Sequence, residues 1–204
     1  MANKKRSGDT KLTAQAAQTR QRLIDAVLEL LPKYSFHTLS LDAIAAHVGM
    51  TKGAIYGSFP SKSALIMEAL GTQPGLRPDL LEWPKSRHGP VRKRMRRLGE
   101  AVLAGLKGST AFAPASIELV LHALKDADAR QRRVDLGPDM RMLIEERVLD
   151  LFTPEELPMP PRAFSLLLSL LIPGLLFAHA YEGNVIDDET VLQMFEGFAA
   201  AARS

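Results

Sequence analysis

The sequence contains no cysteine, which excludes a disulfide framework, a thiolate metal site and a cysteine nucleophile. Its five histidines, His37, His47, His88, His122 and His179, show no metal-ligand spacing. There is no glycine-rich loop of the kind that cradles phosphate. His122 and Asp126 form one i, i+4 pair, which is ordinary helix-surface chemistry, so nothing assembles into an enzyme's reactive group and no cofactor is implied. No strand-period segment and no internal repeat stands out, which points to an all-α fold. Aromatic residues make up 6% of the chain and Trp83 is the only tryptophan. The basic N-terminus, MANKKRSGDTK, has no apolar run behind it. It is not a signal peptide, and the protein is expected to stay in the cytoplasm.

Apolar and charged residues, at 46% and 24%, are those of an ordinary globular chain, and 204 residues are enough for one domain or two modest ones. The net charge is only +3, but residues 1–70 hold nine Lys/Arg against five Asp/Glu. The basic surplus therefore sits at the N-terminal end, where phosphate neutralisation would use it and where a solvated surface would look the same.

The segment Ser40 to Leu65, SLDAIAAHVGMTKGAIYGSFPSKSAL, organises the rest. Leu41, Ile44, Ala45 and Val48 recur at helical spacing behind Ser40, a residue able to cap a helix N-terminus. Gly49 stops that helix, and Thr51 caps a second one whose apolar side is Ala54, Ile55 and Phe59. Two short helices meeting at a small residue, Ala45, describe a helix-turn-helix, whose second helix lies in the DNA major groove. That helix is Thr51 to Tyr56. Lys52 reaches guanine or a phosphate, and Thr51 suits a phosphate or a thymine methyl. Gly53 and Ala54 carry almost no side chain. A helical glycine costs about 1 kcal/mol, so Gly53 indicates either close approach to DNA or simple tolerance in a short helix.

This segment resembles the DNA-binding signature of the TetR family of bacterial transcriptional regulators. The resemblance rests on Ser40-Leu41, Ile44-Ala45, Gly49-Met50-Thr51, Gly53-Ala54-Ile55-Tyr56, Phe59 and Ser61-Lys62, through Leu65, with a similar first helix from about Gln15 to Phe36. It covers roughly the first third of the chain. It implies that Ser40, Thr51, Lys52, Gly53, Ala54, Tyr56, Gly57 and Lys62 face double-stranded DNA, with Tyr56 and Lys62 on phosphates. The competing reading of Tyr56 is a half-buried core tyrosine. Gly57 and Ser58 depart from the large aromatic or His that many relatives carry, which puts base contacts there in doubt. The family further implies a homodimer through the last two long helices and a small-molecule pocket among the middle ones. Its usual mode is repression at a near-palindromic operator, relieved by the small molecule. Leu98, Val102, Leu121, His122, Met140, Ile144 and Phe164 are the candidate lining, suited to an apolar or aromatic effector, and no metal is expected.

Along the chain, residues 1–12 read as a disordered basic arm, in which Lys4, Lys5, Arg6 and Lys11 either follow phosphates or are merely solvated. Residues 13–70 form the DNA-binding domain. Its first helix, Thr13 to about Lys33, turns Leu23, Val27, Leu30, Leu31 and Tyr34 to one side. Residues 71–204 form a larger helical domain for ligand binding and dimerisation. It opens on a loop with four prolines, 71–90, where Trp83 serves as packing anchor or as the edge of a pocket mouth. The turn Arg92 to Arg97 reads as solvated basic surface. Further helices are expected from Pro114 to about Arg130 (Ile117, Val120, Leu121, Leu124) and from Leu136 to Phe152 (Met140, Leu143, Ile144, Val148, Leu151). Residues 163–181 are apolar enough to suggest a membrane span, but Pro173-Gly174 interrupts them. The reading preferred here is a helix at about 161–182, buried on nearly all sides. A second copy covers the remainder, together with a helix at 188–201 that offers Val191, Met194, Phe195 and Phe198.

Overall fold

The computed structural model describes residues 3–73, 75–183 and 187–200. Among them every regular element is helical: α1 (Asn3–Leu30), α2 (Leu41–Val48), α3 (Lys52–Tyr56), α4 (Lys62–Leu70), α5 (Val91–Ser109), α6 (Ala113–Lys125), α7 (Ala127–Leu151), α8 (Pro161–Glu182) and α9 (Asp188–Ala200). The chain divides into two compact units, Met1–Leu70 with Ala115–His122, and Gly71–Pro114 with Ala123–Ser204.

In the first unit α1 supplies Leu23, Ile24 and Val27, with Leu31 just past its end, and packs against α2 and α4; Ile44 of α2, Ile55 of α3 and Leu65 and Ile66 of α4 are buried with them. The repeat that predicts this face breaks at Tyr34, which lies beyond the helix and is 44% exposed. α1 begins at Asn3, upstream of the expected Thr13, across residues with one glycine and no proline to interrupt it. The side chains of Lys4, Lys5, Arg6 and Lys11 lie outside the described residues. The middle of α6 joins this unit: Glu118 accepts the His37 N–H at 3.3 Å, and the His122 ring lies 5.2 Å from Phe36. On α6 the buried edge is Ala115, Ser116, Leu119 and Ala123, whereas the expected apolar residues Ile117, Leu121 and Leu124 are exposed.

The second unit is built on α5 against α9 and α7 against α8, around Met95, Leu98, Val102, Ile144, Val148, Phe164, Leu168 and Phe195. α5 and α9 come close because Gly99 has no side chain: a Cβ there would stand 3.2 Å from that of Phe195. The proline-rich 71–90 stretch belongs to this unit. Leu81 is buried, and Trp83 packs on the core while its Nε1 donates to the Pro78 carbonyl at 2.9 Å, the anchoring role.

Further expectations change. α6 and α7 separate at Asp126, whose extended backbone and carboxylate cap α7 (Ala129 N–H to Oδ1, 2.8 Å). α7 therefore starts at Ala127 and carries Pro138 inside it, on an exposed turn. The basic turn of α5 is solvated only in part: Arg92 and Lys93 are exposed, but the turn also makes ties to other elements. Arg92 and Arg96 pair with Glu196 of α9, and Arg94 is 3% exposed, held by Glu156 and the Leu151 carbonyl beneath Phe152. On α9, Val191 and Phe195 are buried within their own unit rather than offered to a partner, and residue 201 lies outside the described residues.

α8 is long and apolar enough to cross a membrane, yet only 33% of that stretch is buried. Phe164, Leu168, Ile172 and Leu176 form its buried edge, while Leu166 and Leu170 are 46% and 67% exposed. It is thus buried on one side, not on nearly all.

The Arg94 hydrogen bond, followed by the Thr153 N–H, holds the Glu156 carboxyl below the usual carboxylate value against the opposing effect of burial. A depressed carboxylate stabilises the fold above the ordinary value near 4.5 and loses that contribution as pH falls through the depressed one. Glu156→Gln should therefore flatten the loss of stability below that value. Arg94→Met should cost about 3 kcal/mol at neutral pH, the lower end for breaking a buried pair because Glu156 is partly solvated. Urea unfolding across pH measures both.

Candidate nucleic-acid interface

Three residues set the ends of α2 and the start of α3. Ser40 has an extended backbone (φ −95°, ψ 154°), and its Oγ accepts the Ala43 N–H at 3.0 Å. Gly49 lies in the left-handed region at φ 66°, where a side chain is strained, and its N–H closes the end of α2. Thr51 caps α3, its Oγ1 accepting the Ala54 N–H at 3.3 Å. Buried Ile44, Ala45 and Ile55 fill the angle between the two helices, with Val48 half-buried at its edge.

That packing leaves Thr51, Lys52, Gly53, Ala54, Tyr56 and Gly57 exposed together. Tyr56 is 57% exposed and so is not a core tyrosine. Gly53 has no intramolecular reason to lack a side chain, since a Cβ would meet only Thr51 Oγ1, at 3.8 Å. Gly57 is right-handed (φ −66°), so its backbone does not require glycine either. The surface is therefore small and smooth toward solvent. A backbone or base edge can approach α3 closely there.

Lys52 Nζ stands 2.7 Å from Asp42 Oδ2 on α2, and that hydrogen bond raises the lysine's pKa. Both side chains are largely in water, so the ion pair is weak and Lys52 is available.

Lys62 is placed differently from the expectation. Its Nζ donates to the carbonyls of Phe36 at 2.7 Å, Leu39 at 3.1 Å and His37 at 3.4 Å, over the face of Phe36. An ammonium has three donors, and here all three are used. Burial pulls its pKa down, partly offset by Glu118. Lys62 ties α4 to the turn ahead of α2. A motif position carries no information about where a four-carbon side chain goes.

Two residues that the sequence reading passed over do comparable work. Arg20 of α1 donates to Glu68 of α4 at 2.7 Å and to the Ser58 carbonyl, just past α3, at 2.6 Å, with its guanidinium 4.1 Å above Phe59. Arg22 donates to the Val48 carbonyl at the end of α2 at 2.9 Å. Their partners lie 26 to 48 positions away, beyond any local pattern.

The seven candidate effector residues do not gather in one place. Leu98, Val102, Ile144 and Phe164 are fully buried core of the second unit, with Met140 partly buried against them. Leu121 is 54% exposed, and His122 packs on Phe36 in the first unit. A separate groove of about 710 Å³ runs between α7 and α8, lined by Arg141, Met142, Glu145, Arg162 and Leu166 among others.

Comparison with known proteins falls on the same stretch. Residues 23–69 match the family described as bacterial regulatory proteins, tetR family. The HTH-type transcriptional regulator SrpR of Pseudomonas putida is 38% identical over 63 residues, 31% of this chain and 30% of that one. The uncharacterized HTH-type transcriptional regulator TtgW, also of Pseudomonas putida, is 38% identical over 63 residues, 31% of this chain and 47% of that one. The chain thus spans less than half the length of these curated relatives. In overall fold it resembles a tetR-family transcriptional regulator from Streptomyces coelicolor (TM-score 0.63, 21% identity, 91% of this chain and 80% of that one). It likewise resembles the multidrug binding protein EbrR, solved with imidazole (TM-score 0.64, 17% identity, 89% and 90%). These relatives and neighbours are binding and regulatory proteins rather than enzymes. The capped, outward-facing α3 thus lies within the stretch, residues 23–69, that matches the tetR family of bacterial regulatory proteins.

Proposed function

We propose that the protein is a cytoplasmic transcriptional repressor that binds a near-palindromic operator as a homodimer and is released by a small apolar or aromatic effector. The observation that carries the reading is the exposed Thr51–Gly57 surface, whose Gly53 is unexplained by anything inside the molecule. Thr51, Lys52 and Tyr56 supply the polar groups of a DNA contact, and the basic surplus of residues 1–70 adds phosphate attraction. Two copies related by a two-fold axis present two α3 helices to half-sites about one DNA turn apart. The exposed apolar edge of α8, with α9 beside it, supports pairing through the last two helices. An effector acts only by binding the DNA-incompetent arrangement more tightly than the competent one. The apolar middle helices suit such a ligand, and imidazole, an aromatic molecule, is bound by EbrR, a protein of this fold.

A mobility shift on the DNA flanking the protein's own gene tests the reading. Saturable, competitor-resistant binding should be lost in Tyr56→Ala. If neither that fragment nor any sequence recovered by selection from random DNA is bound, the repressor reading fails.

Lys52→Ala should weaken operator binding by about 1–3 kcal/mol and random DNA much less, as loss of a base contact does. Equal losses would make Lys52 a phosphate contact. Lys62→Ala should instead lower the unfolding free energy by about 1–3 kcal/mol, through three abandoned carbonyls, and leave the salt slope of binding unchanged. Arg20→Lys, which keeps the charge but not the forked geometry, should lower the thermal midpoint and weaken operator binding together. Unchanged affinity in Arg20→Lys would show that the Ser58 carbonyl contact does not position α3.

A further inference from the structure

Lys52 is the one charged side chain of the Thr51–Gly57 surface, and it stands where a helix least favours a cation. It opens α3, whose first turn presents unpaired N–H groups that repel a neighbouring ammonium. Its partner comes from α2 instead. Asp42 Oδ2 lies 2.7 Å from Nζ, between the first turns of the two helices. Among the described residues neither side chain has another ion pair or hydrogen bond, and both are exposed.

An exposed ion pair adds little to stability, because water screens it and two side chains must be held still. Its consequence is electrical. In the free protein the pair leaves the outward surface of α3 close to neutral, although that surface is the one offered to a polyanion. Arg20, Arg22 and Lys62 meanwhile direct donors to Glu68 and to backbone carbonyls.

The pair also treats the two kinds of group on DNA unequally. An ammonium has three donors. With one held by Asp42, two remain, and guanine O6 and N7 in the major groove accept two, so a base contact leaves the pair intact. A phosphate contact instead brings a second anion against the Asp42 carboxylate, well inside the screening length of about 8 Å at physiological salt. The carboxylate also restricts a four-carbon side chain that is otherwise free to follow the DNA backbone.

We infer that Asp42 is a specificity-determining residue, which positions Lys52 for a guanine edge and withholds it from phosphate. This role presupposes that α3 reads DNA, as proposed, and adds to that reading the residue that suppresses binding to unrelated sequence. Asp42 acts through Lys52 and needs no DNA contact of its own.

A double-mutant cycle on the full chain tests this, read by fluorescence anisotropy over a salt series. The probes are the duplex that the wild type selects from random DNA and a scrambled duplex of the same length and composition. Asp42→Asn keeps the shape and removes the charge. It should tighten binding to the scrambled duplex roughly fivefold and steepen its log–log salt slope by about one, as one added phosphate contact does. The selected duplex should gain less, so the ratio of the two affinities falls. Asp42→Glu, which restores the carboxylate, should bring slope and ratio back toward the wild type. In Lys52→Ala the Asp42→Asn change should alter neither. A gain in binding is not produced by misfolding, so a lowered thermal midpoint cannot mimic the expected result. If Asp42→Asn tightens the scrambled duplex equally in Lys52→Ala, Asp42 is only a negative charge near DNA and the positioning role is overturned. An unchanged affinity ratio in Asp42→Asn overturns it as well, while wild-type binding to the selected duplex upholds the DNA-binding reading. A wild type that selects no duplex overturns both.

Discussion

A five-residue helix has no stability of its own, because nucleating a helical turn costs more than one or two backbone hydrogen bonds return. α3 is such a helix, and the first unit is arranged around that deficit. Thr51 caps its start, Gly49 sets the angle at which the chain enters it, and Ile55 anchors its single buried side. Beyond its end, Arg20 holds the Ser58 carbonyl while gripping Glu68 and covering Phe59. Arg22 does the same for α2 at Val48, and Lys62 gathers the three carbonyls of the turn that feeds α2. Arg20 and Arg22 of α1 and Lys62 of α4 thus satisfy backbone carbonyls, whereas Lys52 remains in solvent beside Asp42.

In the second unit charge serves a different end. Arg92, Arg94 and Arg96 reach acids on α9 and on the turn after α7, so a run of basic residues in sequence becomes a set of inter-element ties. Arg94 lies under cover, where a lone guanidinium would be costly, and both Glu156 and the Leu151 carbonyl meet it there. α8 shows the same economy with apolar residues. One edge completes the core, and the other is left exposed.

The caps and the turn could be read from the chain because they are local. Ser40, Gly49 and Thr51 act on neighbours three or four positions away, and their residue types leave few conformations open. The buried faces of α1 and α2 were equally legible, since a helix repeats every 3.6 residues whatever it packs against. Tyr34 misled because periodicity does not report where a helix ends. Ile117, Leu121 and Leu124 misled because an apolar stripe does not report whether its partner arrives. The break at Asp126 was missed although its signal, a capping aspartate, stood in the sequence.

The sequence by itself determined an all-helical chain, the place and polarity of the helix-turn-helix, and the outward set from Thr51 to Gly57. Each of these depends on interactions within one or two helical turns. Only the tertiary structure decided that Lys62 faces inward, that Arg20 and Arg22 close helix ends, that the α5 arginines are paired, and which edge of α8 is left open. Those outcomes depend on groups tens of residues apart. Long flexible side chains can reach any of several partners, and the packed backbone alone selects among them.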